Sequence, residues 1–247
     1  MSNPAFPPVP DIFERDPVNL FKTEFRHNEL MARIVTKMSG LLISRCVVDP
    51  EELSRLQGVE GPVVLAGTHE GVADIPVLSA VGIQGGLGEI RMVSKAENFY
   101  SDSNSMPKRV AMQFGGYMNR RLGAYPIDKY LKNAAWLKLF LKLSHYVLTE
   151  EQKTHGIFPT GSRSSDEVLP GALRIANSAG VPIVMVGIHG TSDDIKKLRK
   201  LRRPKIAVAI SQPVYVGRKD IDLLQTLHDE QKQRAIELHE RVYGNKE

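Results

Sequence analysis

The sequence predicts an α/β fold: a mixed, largely parallel central sheet flanked by helices on both faces, with an N-terminal amphipathic helical segment ahead of it. Three observations carry that prediction. Short apolar runs alternate with stretches of helical period over most of the length. A chain of 247 residues can bury one substantial core, and 42% hydrophobic with 25% charged residues is the balance of an ordinary globular protein. There is no run of about 18 apolar residues, so no transmembrane span is expected.

Residues 1–17 read as an irregular arm, because Pro4, Pro7, Pro8, Pro10 and Pro17 oppose any regular element. Met1 to Pro10 lacks the apolar core of a signal peptide. From Val18 to about Val48 the pattern turns helical, with Leu30, Met31, Ile34, Val35, Met38, Leu41 and Leu42 at three- and four-residue steps. Gly40 marks a kink or the end of one helix. Such a helix can pack on the core, or lie in a bilayer interface with Lys22, Arg26, Arg33 and Lys37 near headgroups. The two uses are compatible if one end packs and the other inserts. We divide the chain accordingly, into 1–48 and a main domain of 49–247. The single cysteine, Cys46, excludes an internal disulfide and fits a reducing compartment.

Residues 49–61 read as a polar connector. Val63–Gly67 is a short buried strand, and a helix begins at Asp74, with Pro76 tolerable only in its first turn. The turn Gly82–Gly88 leads to a strand over Ile90–Val93, with Lys95 just beyond. A short helix is expected over Met106–Met112 and a strand over Ala124–Asp128. Tyr130–Leu148 is a long helix with Trp136, Phe140, Leu143 and Val147 on one face. Ile157-Phe158 is a strand stopped by Pro159, and Gly171–Ala179 a helix stopped by Gly180. Val181–Gly187 and Ile206–Ile210 are further strands, with Val214–Val216 a weaker one. A charged helix runs from about Asp222 to Tyr243.

The chemistry centres on Thr68-His69-Glu70-Gly71-Val72-Ala73-Asp74. A histidine with an aspartate five positions on, at the end of a buried strand, is a candidate general base with its orienter. On one helix the two side chains would point about 140° apart. They meet only if His69 sits in the turn and Asp74 in the helix's first turns, and Gly67 and Gly71 permit such a turn. The same spacing also describes a loop histidine near an unrelated capping aspartate. Two other stretches are weak alone. Phe158-Pro159-Thr160-Gly161-Ser162-Arg163-Ser164 is a glycine-containing turn that can aim N–H groups and a guanidinium at an anion. Gly123-Ala124-Tyr125-Pro126-Ile127-Asp128-Lys129 sets a cation at a strand end. His145, His155 and His189 are not spaced to His69 as metal ligands, and Ala73 holds the position of the second His in the helical zinc-protease pattern. No metal and no cofactor is predicted.

In order, these stretches resemble the blocks of the glycerolipid acyltransferase family, the 1-acylglycerol-3-phosphate and glycerol-3-phosphate acyltransferases marked by His-x4-Asp. Thr68 to Leu78 resembles the first block, Gly123 to Lys129 the second, and Phe158 to Ser164 the third. Val181-Pro182-Ile183-Val184 resembles the fourth. The resemblance spans roughly Gly61 to Val216. The chain departs from the pattern in five places. Thr68 stands where Asn is frequent, Gly71 where Ser is common, and Lys129 for the usual Arg. Thr160 replaces the third block's Glu, and Met185 the fourth block's second Pro.

The resemblance implies an O-acyltransferase moving a fatty acyl group from an acyl thioester, acyl-CoA or acyl carrier protein, to the hydroxyl of a lysophosphatidate-type acceptor. His69 would take the acceptor's proton and Asp74 would fix the imidazole. Lys129, Thr160, Gly161, Ser162 and Arg163 would hold the acceptor's phosphate, and N–H groups of the Gly67–Gly71 turn would meet the oxyanion. Glycerol-3-phosphate, another lysolipid, or a non-catalytic lipid-binding role are the alternatives. The run Lys196, Lys197, Arg199, Lys200, Arg202, Arg203 and Lys205 suits an anionic membrane surface, or docking of an acidic carrier protein. Without interleaved aromatics or a binding motif, it does not mark nucleic acid. The net charge of +5 agrees with an acidic partner. The expected location is the cytoplasm, peripherally on the membrane.

Overall fold

The protein's structure, a computed structural model, describes residues 46–71, 73–95, 124–127, 134–191 and 205–244, with a few positions between 34 and 44. Its strands are β1 (Cys46–Val48), β2 (Val64–Gly67), β3 (Ile90–Lys95), β4 (Tyr125–Ile127), β5 (Thr154–Ile157), β6 (Ile183–His189) and β7 (Ile206–Ile210). Its helices are α1 (Pro50–Gln57), α2 (Asp74–Gln84), α3 (Ala134–Thr149), α4 (Gly171–Ala179) and α5 (Ile221–Tyr243). The strands form one sheet in the order β1-β7-β6-β2-β5-β3-β4. Every neighbouring pair is parallel except β6 with β7. This is the predicted mixed, largely parallel sheet. The central strands are buried runs, as a sheet covered on both faces requires.

Side chains alternate across a strand, so the register assigns the faces. Leu65 and Gly67 face α2, since a Cβ on Gly82 would touch Leu65 and one on Gly67 would touch Leu78. Their partners Val184 and Val186 share that face. Gly187 points the other way, where the α5 backbone lies so close that a Cβ would overlap the Gln231 carbonyl oxygen. α1 packs beside α2. α3, with α4 beside it, lies on the α5 face, because its Ser144 bonds His155, which registers with Val64.

Three expectations are corrected. Residues 49–61 are not a connector, since they contain α1. The Asp49 side chain caps it by accepting from the Glu51 N–H at 2.9 Å, Pro50 opens it, and Glu51 and Glu52 sit at its positive end. Leu56 anchors it in the core. Glu52 is buried as well, but partnered: its carboxylate accepts the Ile210 N–H at 2.8 Å and pairs with Arg234 of α5. The helical reading to Val48 also fails at its end, because Cys46–Val48 pairs with β7 instead. Two valines prefer the pleated surface, and three residues are too few to show a period. Finally, β5 runs over Thr154–Ile157, earlier than expected, so Phe158 opens the loop.

Where the N-terminal segment is described, Ile34, Lys37, Gly40, Leu41 and Ile43 are helical. Ile43 packs against the core, while Leu41 is 57% exposed. Residues 1–33, the helix expected over Met106–Met112, Lys129, and the cations from Lys196 to Arg203 lie outside the described residues. Among the described residues no helix is long and apolar enough to cross a membrane.

Because β2, β5, β6, β3 and β4 run parallel, their carboxyl ends share one edge of the sheet. Open α/β sheets bind ligands in the crevice outside that edge. Here it gathers the loops after β2, β5 and β6.

Candidate active site

His69 lies in the turn after β2, and Asp74 is the first residue of α2. The sequence required that division if the pair was to meet. His69 Nδ1 stands 2.8 Å from Asp74 Oδ2. The same oxygen accepts the N–H groups of Glu70 at 2.6 Å and Gly71 at 2.7 Å. Oδ1 accepts the Thr191 hydroxyl. Backbone N–H groups only donate, so Oδ2 is an acceptor and Nδ1 carries the proton of the shared bond. Nε2 is then the basic nitrogen of the ring. Asp74 is fully buried and sits at the positive end of α2, where a negative charge is favoured. The His69 side chain remains 16% exposed.

The ring has a fixed plane. It stacks on Phe158 with centroids 4.4 Å apart and 21° between planes. β2 and β5 are registered neighbours, Ala66 opposite Ile157, so the residues after each strand meet side by side. A Cβ on Gly67 would lie 3.0 Å from the Phe158 ring, so a small residue there lets the two loops close on each other. Thr68 extends the β2–β6 ladder with its side chain. Its Oγ1 accepts the Ile188 N–H at 2.7 Å and donates to the Ile188 carbonyl at 3.1 Å. One hydroxyl thus performs both tasks that an Asn amide divides between its two ends.

Glu70 turns away from the pair. Its carboxylate accepts from His189 Nδ1 at 2.8 Å and from the Gly190 N–H at 3.1 Å. Three amides that the sequence offered to an oxyanion are already engaged: Thr68 N–H on the Val186 carbonyl, Glu70 and Gly71 on Asp74. An oxyanion must be met by other donors.

The loop after β5 is internally tied. Gly161 has φ +62°, a left-handed conformation that suits glycine. Thr160 is buried, and its hydroxyl donates to the Ser162 carbonyl at 3.0 Å. Ser162 and Ser164 share a hydroxyl bond at 2.9 Å. The α5 side pins the loop further on, with Lys232 on Asp166 at 2.7 Å and Gln225 accepting the Val168 N–H. Arg163 is exposed and has no ion pair among the described residues. Of the four loop residues named from the sequence, Arg163 is therefore the open cation, while Thr160 braces the turn. β4, which leads to Lys129, ends at the same edge, three strand spacings or about 14 Å from β2. Sequence reasoning missed the Phe158 stack, the Glu70–His189 contact and Thr191. No local signal marks Thr191, which lies 117 positions from its partner Asp74.

A family model for acyltransferases matches residues 44–189, more than half of the chain. The chain belongs to the acyltransferase family. It is 27% identical over 154 residues to the 1-acyl-sn-glycerol-3-phosphate acyltransferase of Bacillus subtilis (strain 168), a match covering 62% of this chain and 66% of that relative. In fold, it resembles the crystal structure of the 1-acyl-sn-glycerophosphate (LPA) acyltransferase PlsC from Thermotoga maritima. The TM-score is 0.52 at 20% identity, covering 91% of this chain and 84% of that one. The family match contains His69, Asp74 and the loop after β5.

Proposed function

We propose that this acyltransferase moves a fatty acyl group from an acyl thioester to the hydroxyl of a lysophosphatidate-type acceptor, a step of phospholipid synthesis. The observation that carries this reading is the His69–Asp74 bond at the sheet's carboxyl edge, with Phe158 of the neighbouring loop stacked on the imidazole. The relative from Bacillus subtilis, named for acylation of 1-acyl-sn-glycerol-3-phosphate, supports the acceptor class.

In this reaction His69 Nε2 takes the acceptor's hydroxyl proton as its oxygen attacks the thioester carbonyl. The tetrahedral adduct collapses, the C–S bond breaks, and the proton passes from Nε2 to the departing thiolate. Asp74 holds the tautomer and stabilises the imidazolium that forms in between. The acceptor hydroxyl is the nucleophile, so no covalent acyl-enzyme is required. Arg163 takes the acceptor's phosphate, assisted by the Gly161 turn and by Lys129. A guanidinium suits that anion because its fork donates two parallel hydrogen bonds. The cations Lys196 to Lys205 hold the protein at an anionic membrane surface, each near the surface contributing about 1 kcal/mol.

The test follows thiol release from acyl-CoA, with and without lysophosphatidate. Release that needs the acceptor and is lost in His69→Ala is the expected result. Release without acceptor would make the protein a thioesterase. A second reading, a lipid-binding member without efficient transfer, draws on Thr160, whose hydroxyl is turned into its own loop. No release with any acceptor in a panel including glycerol-3-phosphate would favour it. Liposome sedimentation that ignored anionic lipid and salt would remove the docking role of the charge run.

A further inference from the structure

We infer that Thr191 is a positioning residue for the His69–Asp74 pair: its hydroxyl holds the second oxygen of the Asp74 carboxylate against tilting and so steadies the direction of His69 Nε2. The inference rests on the proposed function, in which Nε2 is the base. Thr191 lies just past the end of β6, beyond the stretch that the family model matches.

The geometry makes the case. An aspartate's last torsion is broad and two-fold, so the carboxylate tilts about it unless its oxygens are held. Asp74 Oδ2 gathers three donors from its own turn, all within five residues. Those donors hold the group from one side only. A tilt about its torsion moves both oxygens, so a bond to Oδ1 resists it from the other side. Thr191 supplies that bond from a different strand end, and is itself only 2% exposed.

The hydroxyl is also held in place. A Cβ on Gly71 would lie 2.5 Å from the Thr191 carbonyl oxygen and 3.0 Å from its Oγ1. The turn and the Thr191 backbone are therefore in contact, and Gly71 has no side chain for that reason. The two residues before Thr191 hold the same turn by another route, His189 and Gly190 both donating to Glu70. Three consecutive residues after the body of β6 thus grip the turn, but only Thr191 reaches the carboxylate that orients the base.

The experiment uses the full chain and compares wild type, Thr191→Val and Thr191→Ser. It measures acceptor-dependent thiol release with both KM values, and the NMR signals of the His69 imidazole without substrate. Valine keeps the shape of threonine and removes the donor. Thr191→Val should lower kcat by about 10- to 100-fold, the scale of one lost hydrogen bond to a charged group. Both KM values should hold, the His69 Nδ1–H signal should move, and Thr191→Ser should restore rate and signal. A general loosening of the fold would not produce that split or that rescue. Wild-type kcat in Thr191→Val, or a loss that serine does not repair, overturns the inference. If Thr191→Val does not melt cooperatively, Thr191→Ala carries the same comparison. If wild type releases no thiol with any acceptor, the proposed function has failed. The NMR arm still decides the positioning role, and an unmoved His69 signal in the variant overturns it.

Discussion

The carboxyl edge of the sheet and its interior each hold a histidine against a phenylalanine, and the two rings sit in opposite settings. At the edge, His69 stacks on Phe158 and bonds a buried carboxylate at 2.8 Å. In the interior, His155 of β5 meets the edge of Phe140, centroids 6.1 Å apart, and its Nε2 bonds the Ser144 hydroxyl at 3.0 Å. His69 keeps part of its ring open, while His155 is wholly buried. Burial drives the His155 imidazole down to about 3, so it is neutral at ordinary pH and serves as a packed, hydrogen-bonded ring. In the proposed function, a histidine that serves as the base takes more than a polar partner. It takes a carboxylate on one nitrogen and access on the other, and the strand end is where both can be arranged.

The largest effect that separates the two regions is on turnover. His69→Ala should lower kcat by roughly 10²–10⁴-fold, the usual contribution of a positioned base, while the thermal midpoint barely changes. His155→Gln should do the reverse, lowering the midpoint and leaving turnover per folded molecule intact. Parallel activity assays and melting curves check both. Equal loss of turnover in the two variants would erase the distinction.

Acid stability sharpens it next. Native His155 stays neutral down to about pH 3, whereas an unfolded chain's histidine takes a proton near its ordinary value of 6.5. Between those values the unfolded state binds more protons, so stability falls as pH falls. The loss from this one group is about 1.4 kcal/mol per pH unit within that window. Denaturant melts of wild type and His155→Gln from pH 7 to pH 4.5 should converge as acid is added. Parallel lines would mean that His155 takes its proton without unfolding.

Arg163→Ala tests the edge in a milder way. Arg163 is exposed, so stability should hold, while KM for the acceptor should rise about 10-fold, in the range of one charged hydrogen bond. KM for the thioester should not change. An unchanged acceptor KM would take Arg163 out of the phosphate site.

What the sequence revealed of these regions follows from the range of each signal. The runs at Val63–Gly67 and Ile206–Ile210 became β2 and β7 because a strand buried on both faces is apolar throughout. α4 ended at Gly180 as its left-handed glycine dictates, φ +67°. α1 was hidden by its polarity, although Asp49-Pro50-Glu51-Glu52 is a helix start that a reading of caps would have found. β5 was misplaced because Thr154, His155 and Gly156 look like a loop, and only the helix packed over them makes them interior. The His69–Asp74 pair was legible because both members belong to one turn. Its other supports, Phe158 and Thr191, arrive from distant strand ends, and no local pattern records them.

The smallest effect concerns the hydroxyl that makes His155 tolerable in the core. Ser144 Oγ donates to the Phe140 carbonyl at 2.7 Å within α3, so toward His155 its oxygen is the acceptor and Nε2–H the donor. Ser144→Ala removes that acceptor from a fully buried N–H without opening a large cavity. The expected cost is about 1–2 kcal/mol of stability, with turnover unchanged. The same change in a His155→Leu background should cost less, because a leucine has no N–H to satisfy. A double-mutant cycle on chemical denaturation reads the difference. Equal costs in both backgrounds would show that the serine serves its own helix and that burial alone governs the interior ring.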